Sequence, residues 1–137
     1  MRIVADTNTV VSGLLWGGTP EKVLIAAREK RITLCTSPAL IAELEEIIGR
    51  EKFVQRLALA GSSAQQLVGD YLSLTELVLP THVPSVVRDP DDDHVIACAL
   101  AAQADVSVSG DNDLLTLGGH RGIRIVNARE ALAMIAT

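Results

Sequence analysis

The sequence predicts an α/β fold, a three-layer sandwich in which a central, mostly parallel sheet of about four or five strands is flanked by helices. Short runs rich in Val and Ile alternate along the chain with longer segments whose apolar residues recur at helical spacing. Strands separated by helices favour right-handed crossovers and a parallel sheet covered on both faces. Aromatic residues make up only 2% of a chain that is 48% hydrophobic, so aliphatic side chains must form the core, as parallel sheets typically require.

Length and charge narrow the class of protein. We expect residues 1–137 to form a single domain, because the chain is long enough for one well-buried core. The formal charge of −5 argues against binding nucleic acid through a general positive field. The scarcity of aromatic residues argues against binding nucleic acid by stacking its bases on aromatic side chains. Trp16 is expected to anchor a loop or a dimer contact. Without a signal-peptide core or a long apolar run, we expect a soluble, cytoplasmic protein with no membrane association.

Residues 2–6 form the first predicted strand. It is apolar on both faces and ends at Asp6, where a polar turn leads into a short helix with aliphatic residues at helical spacing. Two glycines end that helix, and Thr19-Pro20 supplies a capping hydroxyl and a first-turn proline for the next helix, which extends to about Lys30. Asp6 is therefore expected at the carboxyl end of a buried strand.

Residues 32–36 form the second predicted strand, and the Ser-Pro pair that follows opens an amphipathic helix. Three glutamates lie on this helix. At about 100° per residue, Glu43 and Glu45 flank the apolar stripe on opposite sides, while Glu46 faces solvent. Helical periodicity alone does not choose between Glu43 and Glu45.

A helical insertion is predicted at about residues 50–79, with a break at a Gly-Ser-Ser sequence. Its basic residues, Arg50, Lys52 and Arg56, are typical of a solvated helix face. The alternative interpretation is a basic rim for a substrate.

Four aspartates crowd residues 89–93, directly before the most apolar helix of the chain. The Asp-Pro pair at the start of this run marks a turn, and the helix is predicted to begin near Asp92 or Asp93. Carboxylates so close together repel one another. A cation, the amides of a helix N-terminus or solvent must therefore offset this repulsion.

The last part of the chain supplies two more predicted strands. Residues 106–109 alternate as a strand and are followed by a Gly-Asp-Asn-Asp turn, and residues 123–126 form the last strand. Asn127 and Glu130 are a capping pair for the terminal helix. Asp111 therefore follows a strand, in the same way as the first acid of the chain.

Four acidic residues that are far apart in sequence are predicted to meet at the carboxyl edge of the sheet, where open α/β proteins bind their ligands. Hard divalent cations prefer such oxygen ligands, and a bound cation would let an acidic protein hold an anionic substrate. The alternative is that each carboxylate only caps a helix or serves a turn. Because capping does not require all four to share one edge, we favour a metal-dependent hydrolase of RNA or DNA. The four residues are Asp6, Glu43, Asp93 and Asp111.

Four short motifs carry these acids in a distinctive order. They are Asp6-Thr-Asn-Thr after the first strand, Ser37-Pro-Ala-Leu-Ile-Ala-Glu43, the run from Asp89 to Asp93, and Ser109-Gly-Asp111-Asn-Asp113-Leu-Leu. In order and spacing they resemble the PIN domain, the PilT N-terminal-like nuclease family, over nearly the whole chain. Many toxins of that family carry an arginine-containing motif ending in Asp-Phe where this chain has Ser-Gly-Asp-Asn-Asp-Leu.

The resemblance implies an endoribonuclease that depends on Mg²⁺ or Mn²⁺, with metal-binding and catalytic carboxylates at the four acidic positions, and it selects Glu43 over Glu45. Asp92 and Asp113 are alternates, because adjacent acids leave the match open by a residue or two. Polar neighbours would orient the metal ligands or a water. These neighbours are Thr7, Asn8 and Ser109.

The resemblance also implies a biological role and partners. Toxins of toxin-antitoxin pairs in this family act on RNA, are often homodimers, and are inhibited by an antitoxin protein. A phosphatase of the haloacid-dehalogenase type is an alternative, because an Asp-Thr-Asn-Thr sequence follows the first strand, but that family has a second Asp where Asn8 stands. A further alternative is a catalytically inactive domain that binds RNA or protein, against which the retained acids argue.

Overall fold

The computed structural model describes residues 1–136, and within them it confirms the predicted α/β class with a sheet of six strands. The strands are β1 (Arg2–Ala5), β2 (Thr33–Thr36), β3 (Thr75–Leu77), β4 (Val106–Val108), β5 (Gly119–His120) and β6 (Ile123–Val126). Their order in the sheet is β3-β2-β1-β4-β6-β5. All neighbouring strands are parallel except β5 and β6. The strand β1, which carries the first acid at its end, therefore lies inside the sheet.

Helices cover both faces of this sheet. They are α1 (Thr7–Leu15), α2 (Gly18–Arg28), α3 (Pro38–Ile48), α4 (Glu51–Leu59), α5 (Ala64–Leu74), α6 (Pro90–Ala102), α7 (Asn112–Leu117) and α8 (Ala128–Ile135). Among the described residues, none of these helices is both long enough and apolar enough to cross a membrane.

Alternate residues of the central strands pack into two separate cores. On β1, Ile3 belongs to the core formed with α1 to α5 and α8, while Val4 belongs to the core formed with α6, α7 and the start of α3. Leu34 and Cys35 divide in the same way on β2. Because successive side chains of a strand point to opposite faces, the apolar runs of the sequence become strands that are buried on both sides.

The sheet has one more strand than expected at one edge, because residues 75–77 leave the helical pattern that the sequence predicts up to residue 79. Helix α5 ends at Leu74, and β3 pairs in parallel with β2, with Thr75 opposite Leu34. The ladder with β2 exists only in the folded chain. Its hydrogen bonds override the local helical preference of this segment.

The other unexpected strand, β5, belongs to a tight hairpin with β6. Gly119 pairs with Arg124 and His120 with Ile123. The two residues between them, Arg121 and Gly122, have φ values of 49° and 84°. Two positive φ values are the signature of a type I′ turn, which suits the twist of a two-residue hairpin.

Candidate functional site

The carboxyl edge of the sheet gathers the N-terminal ends of α1, α3, α6 and α7. In a parallel sheet the strands all end at the same edge, and the helices that follow them begin there. Helix N-termini present unpaired N–H groups and a partial positive charge, so acidic side chains are favoured at these positions. Local chemistry thus explains why Asp6 and Asp111 cap α1 and α7 and why the acidic run lies in the first turn of α6. Glu43 lies further along α3, and the topology brings these helix ends together.

Asp6 is the buried centre of this edge. It is only 4% exposed and caps α1, with Oδ1 accepting a hydrogen bond from Thr9 N–H at 2.9 Å. Its Oδ2 accepts a hydrogen bond from the Ser109 hydroxyl at 2.5 Å. The same hydroxyl oxygen accepts a hydrogen bond from Asp111 N–H at 2.9 Å. Ser109 therefore ties the end of β1 to the end of β4 and fixes Asp6 relative to Asp111.

Asp111 caps α7 from the other side of this serine. Its Oδ1 accepts hydrogen bonds from the N–H groups of Asp113 and Leu114, at 2.8 and 3.3 Å. These bonds hold the carboxylate in one orientation at the sheet edge. Asp113, on the first turn of α7, also forms an ion pair with Arg88, 3.0 Å between Nη2 and Oδ1.

Asp92, Asp111 and Asp113 form an acidic group in which each residue offers one carboxylate oxygen within 4.8 Å of the others. All three are half-buried. Asp92 Oδ2 is buried, and no group within residues 1–136 donates a hydrogen bond to it. Burial, followed by the negative charges of Asp111 and Asp89, raises the pKa of the Asp92 carboxyl to about 7. The uncompensated charge that the sequence predicts for the acidic run is thus concentrated at this group.

Like Asp6 and Glu43, Asp93 is not a member of this acidic group, although the sequence predicts all three at the metal site. It is 6% exposed, and its Oδ1 accepts hydrogen bonds from the N–H groups of Val86 and Val87 at 2.9 and 3.0 Å. Consecutive helix residues point about 100° apart, so Asp92 and Asp93 cannot share one direction. The structure places the alternate, Asp92, with Asp111 and Asp113, while Asp93 holds the preceding loop.

Helix α6 also begins earlier than the sequence predicts. Asp89 is its N-cap and accepts a hydrogen bond from Asp91 N–H at 3.0 Å, with Pro90 at the first helical position. Proline is favoured there because its missing N–H would have no partner. Asp91, Asp92 and Asp93 therefore all lie in the first turn, where the helix dipole offsets part of their repulsion.

The structure distinguishes the glutamates that the helical pattern of α3 leaves equivalent. Glu43 is half-buried, and burial raises the pKa of its carboxyl. The charges of Asp91 and Asp6 add to this rise in pKa, while the neighbouring Thr7 hydroxyl opposes it. Glu45 is exposed and lines a groove with residues of α5 instead. Glu43 is thus the glutamate of α3 that faces the acidic edge.

The remaining polar residues expected at the site take different positions. Thr7 is buried beneath the edge, whereas Asn8 is exposed. Asn8 lines a cleft of about 320 Å³ together with Ser12, Ser109 and Asp111. Arg88 is the residue that sequence reasoning misses. Its position directly before the acidic run was the available signal, but its partner Asp113 is 25 residues away.

The acidic group has the chemistry that a hard divalent cation requires. Its donors are carboxylate oxygens, which Mg²⁺ and Mn²⁺ prefer. A buried carboxylate oxygen without a donor is costly unless a counter-charge is supplied. Asp92 Oδ2 is such an atom, so these residues fit a divalent ion.

The stability of the metal-free protein should depend on the protonation of Asp92. Because the folded state raises the pKa of this carboxyl to about 7, its stabilising contribution is complete below the unfolded value near 4 and is lost as pH rises through 7. In EDTA, the Tm of the wild type should therefore fall between pH 5 and pH 8. Asp92→Asn should have a flatter profile, measured by calorimetry. Equal slopes for the two proteins would contradict this origin of the pH dependence.

Comparison with known proteins places this geometry in context. A family model described as PIN domain matches residues 2–113. The crystal structure of PAE2754 from Pyrobaculum aerophilum is similar with a TM-score of 0.66 and 15% identity, over 99% of this chain and 90% of that chain. VapBC2 from Rickettsia felis, bound to a DNA fragment from their promoter, is similar with a TM-score of 0.64 and 16% identity, over 93% of this chain and 98% of that chain. No curated protein matched the sequence. At these identities the structural likeness shows the fold alone, and the matched family range includes every acid of the sheet edge.

Proposed function

Because the chain belongs to the PIN domain family, whose members are generally nucleases, we propose that it is an endoribonuclease that hydrolyses RNA phosphodiester bonds with the help of Mg²⁺ or Mn²⁺. The observation that carries the proposal is the acidic group at the sheet edge with its buried, unpartnered oxygen on Asp92. PIN nucleases use divalent metals. The fit of the oxygen donors to such an ion supports the same use here.

Each acid has a distinct part in this proposal. Asp92, Asp111 and Asp113 would hold the ion, with Asp6 fixed beside them through Ser109. When bound, the ion supplies a positive charge that offsets charge developing on the phosphodiester and lowers the pKa of a water.

Glu43 is suited to proton transfer, because its raised pKa lies closer to neutrality than that of an ordinary glutamate. Asp93 would act through the loop that it holds, by keeping residues 86–87 beside the site. The Asp93 carboxylate accepts hydrogen bonds from the backbone amides of these two residues.

We extend the proposal to a role as the toxin of a toxin-antitoxin pair, with an antitoxin protein as partner and a homodimer as the active form. The structural likeness to the Rickettsia felis VapBC2 proteins, solved with promoter DNA, supports this extension. The alternative of a haloacid-dehalogenase-like phosphatase loses support, since Asn8 on the cleft wall carries an amide, which cannot transfer a proton as the second Asp of that family would. Both oxygens of Asp6 also already accept hydrogen bonds.

Removal of the metal and of Glu43 tests the proposal. The pure protein should cleave single-stranded or structured RNA in Mn²⁺ or Mg²⁺. Cleavage should cease in excess EDTA and resume when Mn²⁺ is restored. Glu43→Gln should lower the rate by about 10-fold or more, since general acid-base catalysis contributes at least that much.

Glu45→Gln is the matched control, because it makes the same change on the same helix at a position that faces α5. It should retain the wild-type rate. Cleavage that continues in EDTA, or that is equal in wild type and Glu43→Gln, would identify a contaminant and refute the proposed mechanism.

A further inference from the structure

Trp16 is an exposed aromatic ring that the acidic edge does not use. It is the C-cap of α1 and is 55% exposed. The guanidinium of Arg56, on α4, lies over the ring with its central carbon 3.9 Å from the ring centroid. The guanidinium covers one face of the ring, and the 55% exposure of Trp16 leaves part of the side chain open to a further planar group.

Arg56 lies over this ring, and Lys52 on the same helix has its ammonium over the Phe53 ring, 4.9 Å from the centroid. Arg56 and Lys52 are exposed and lie four residues apart on α4, so they share one side of the helix. The helix neighbours of Arg56 at three and four residues are Lys52, Phe53, Leu59 and Ala60. In the described part of the chain, neither Lys52 nor Arg56 forms an ion pair with a carboxylate. These two residues form a small positive patch on α4 in a protein with a formal charge of −5, and the Glu21 carboxylate lies close to Gly17 at the opposite margin of this surface.

Helix α1 connects this patch to the acidic edge. Asp6 is the N-cap of α1 and Trp16 is its C-cap. At about 1.5 Å of rise per residue, the two ends are roughly 15 Å apart along the helix axis. A single strand that presents a phosphate at the acidic edge can therefore reach Trp16 within a few nucleotides.

We propose that Trp16 stacks against a base of single-stranded RNA while Arg56 and Lys52 bind the adjacent backbone phosphates. This inference rests on the proposed RNA substrate. The surface around Trp16 would bind the part of the strand that lies away from the phosphodiester to be cleaved. An acidic edge repels a polyanion, so positive charge at a distance is needed to retain the strand. Stacking on an aromatic side chain next to arginine is the usual way in which proteins hold unpaired bases.

The low aromatic content of the sequence argues against an extended series of stacking platforms, and the structure leaves this one ring accessible. Trp16 is the sole tryptophan of the chain. Its fluorescence therefore reports on this surface without interference from other indoles. Because binding can be measured in EDTA, it can be separated from cleavage.

The test is a fluorescence titration of the full chain with a single-stranded oligoribonucleotide in EDTA. We expect saturable quenching of Trp16, which an oligonucleotide of the same length made only of abasic sites should not produce. In a parallel anisotropy assay with a labelled oligonucleotide, Trp16→Ala and Arg56→Gln should each raise Kd about 10-fold. Arg28→Gln removes an exposed positive charge at the far end of α2 and should leave Kd unchanged. Thermal melting of each variant verifies that it is folded.

The cleavage assay separates this inference from the proposed function. With Mn²⁺, Trp16→Ala should raise KM and retain kcat. If the wild type cleaves RNA but both variants have unchanged Kd and KM, the stacking surface is refuted and the nuclease stands. If RNA quenches Trp16 as expected and cleavage is absent, the binding surface stands and the nuclease fails. Inaccessibility of Trp16 to acrylamide in an RNA-free dimer would show that a second copy covers the ring, which would overturn the inference.

Discussion

Asp6→Asn should reduce metal-dependent RNA cleavage by about 100-fold while leaving the protein folded. The substitution removes a negative charge from the acidic edge. The asparagine side-chain oxygen can still accept the hydrogen bond from Thr9 N–H that caps α1. Its amide nitrogen, however, is a donor that faces the Ser109 hydroxyl, which itself donates to Asp6 in the wild type. Ser109 must then reorient, and its link to Asp111 is disturbed as well.

Initial rates in Mn²⁺ measure the effect, and calorimetric titration of Mn²⁺ measures the loss of metal affinity. Asp70→Asn is the matched control, because it removes the same charge from an exposed position on α5. It should retain the wild-type rate and affinity. An active Asp6→Asn protein with unchanged affinity for Mn²⁺ would remove Asp6 from the site.

Asp93→Ala should lower the free energy of unfolding by about 2–3 kcal/mol, because it leaves the N–H groups of Val86 and Val87 without their acceptor in a largely buried position. Asp92→Ala should have the opposite sign in EDTA. It removes a buried oxygen that has no donor and a carboxyl whose charge the folded state disfavours. Adjacent residues of one acidic run should therefore affect stability in opposite directions.

Urea denaturation in EDTA measures both changes. Asp93→Asn is the control, since its amide oxygen can still accept from the loop amides, and it should be close to wild type in stability and in RNA cleavage. Asp92→Asn should be stable and inactive. An inactive Asp93→Asn together with an active Asp92→Asn would assign the metal-binding role to Asp93 instead.

Some parts of this architecture depend only on local sequence. The runs at residues 2–5 and 33–36 are apolar on both faces, and that pattern suffices to predict strands of a covered parallel sheet. Strand ends then predict where Asp6 and Asp111 lie, because parallel strands end at a common edge. The match of residues 2–113 to the PIN domain confirms the family resemblance that the four acidic motifs indicate.

Other parts depend on partners that are distant in the chain. Strand β3 forms because residues 75–77 hydrogen-bond to the free edge of β2. The local sequence pattern holds no information about that pairing. The position of Arg88 as partner of Asp113 has the same origin, since these residues are 25 apart.

The sequence by itself determined the fold class and the edge at which the acids collect, because alternation, helical spacing and strand ends are local properties of the chain. The order and spacing of the four acidic motifs indicated the family through their resemblance to the PIN domain. Only the tertiary structure decided which of two neighbouring acids faces the others. Asp92 and Asp93 are chemically identical and adjacent, and a turn of about 100° per residue sends them in different directions. Asp93 accepts hydrogen bonds from the amides of Val86 and Val87. Asp92 lies instead with the two acids that follow β4, Asp111 and Asp113.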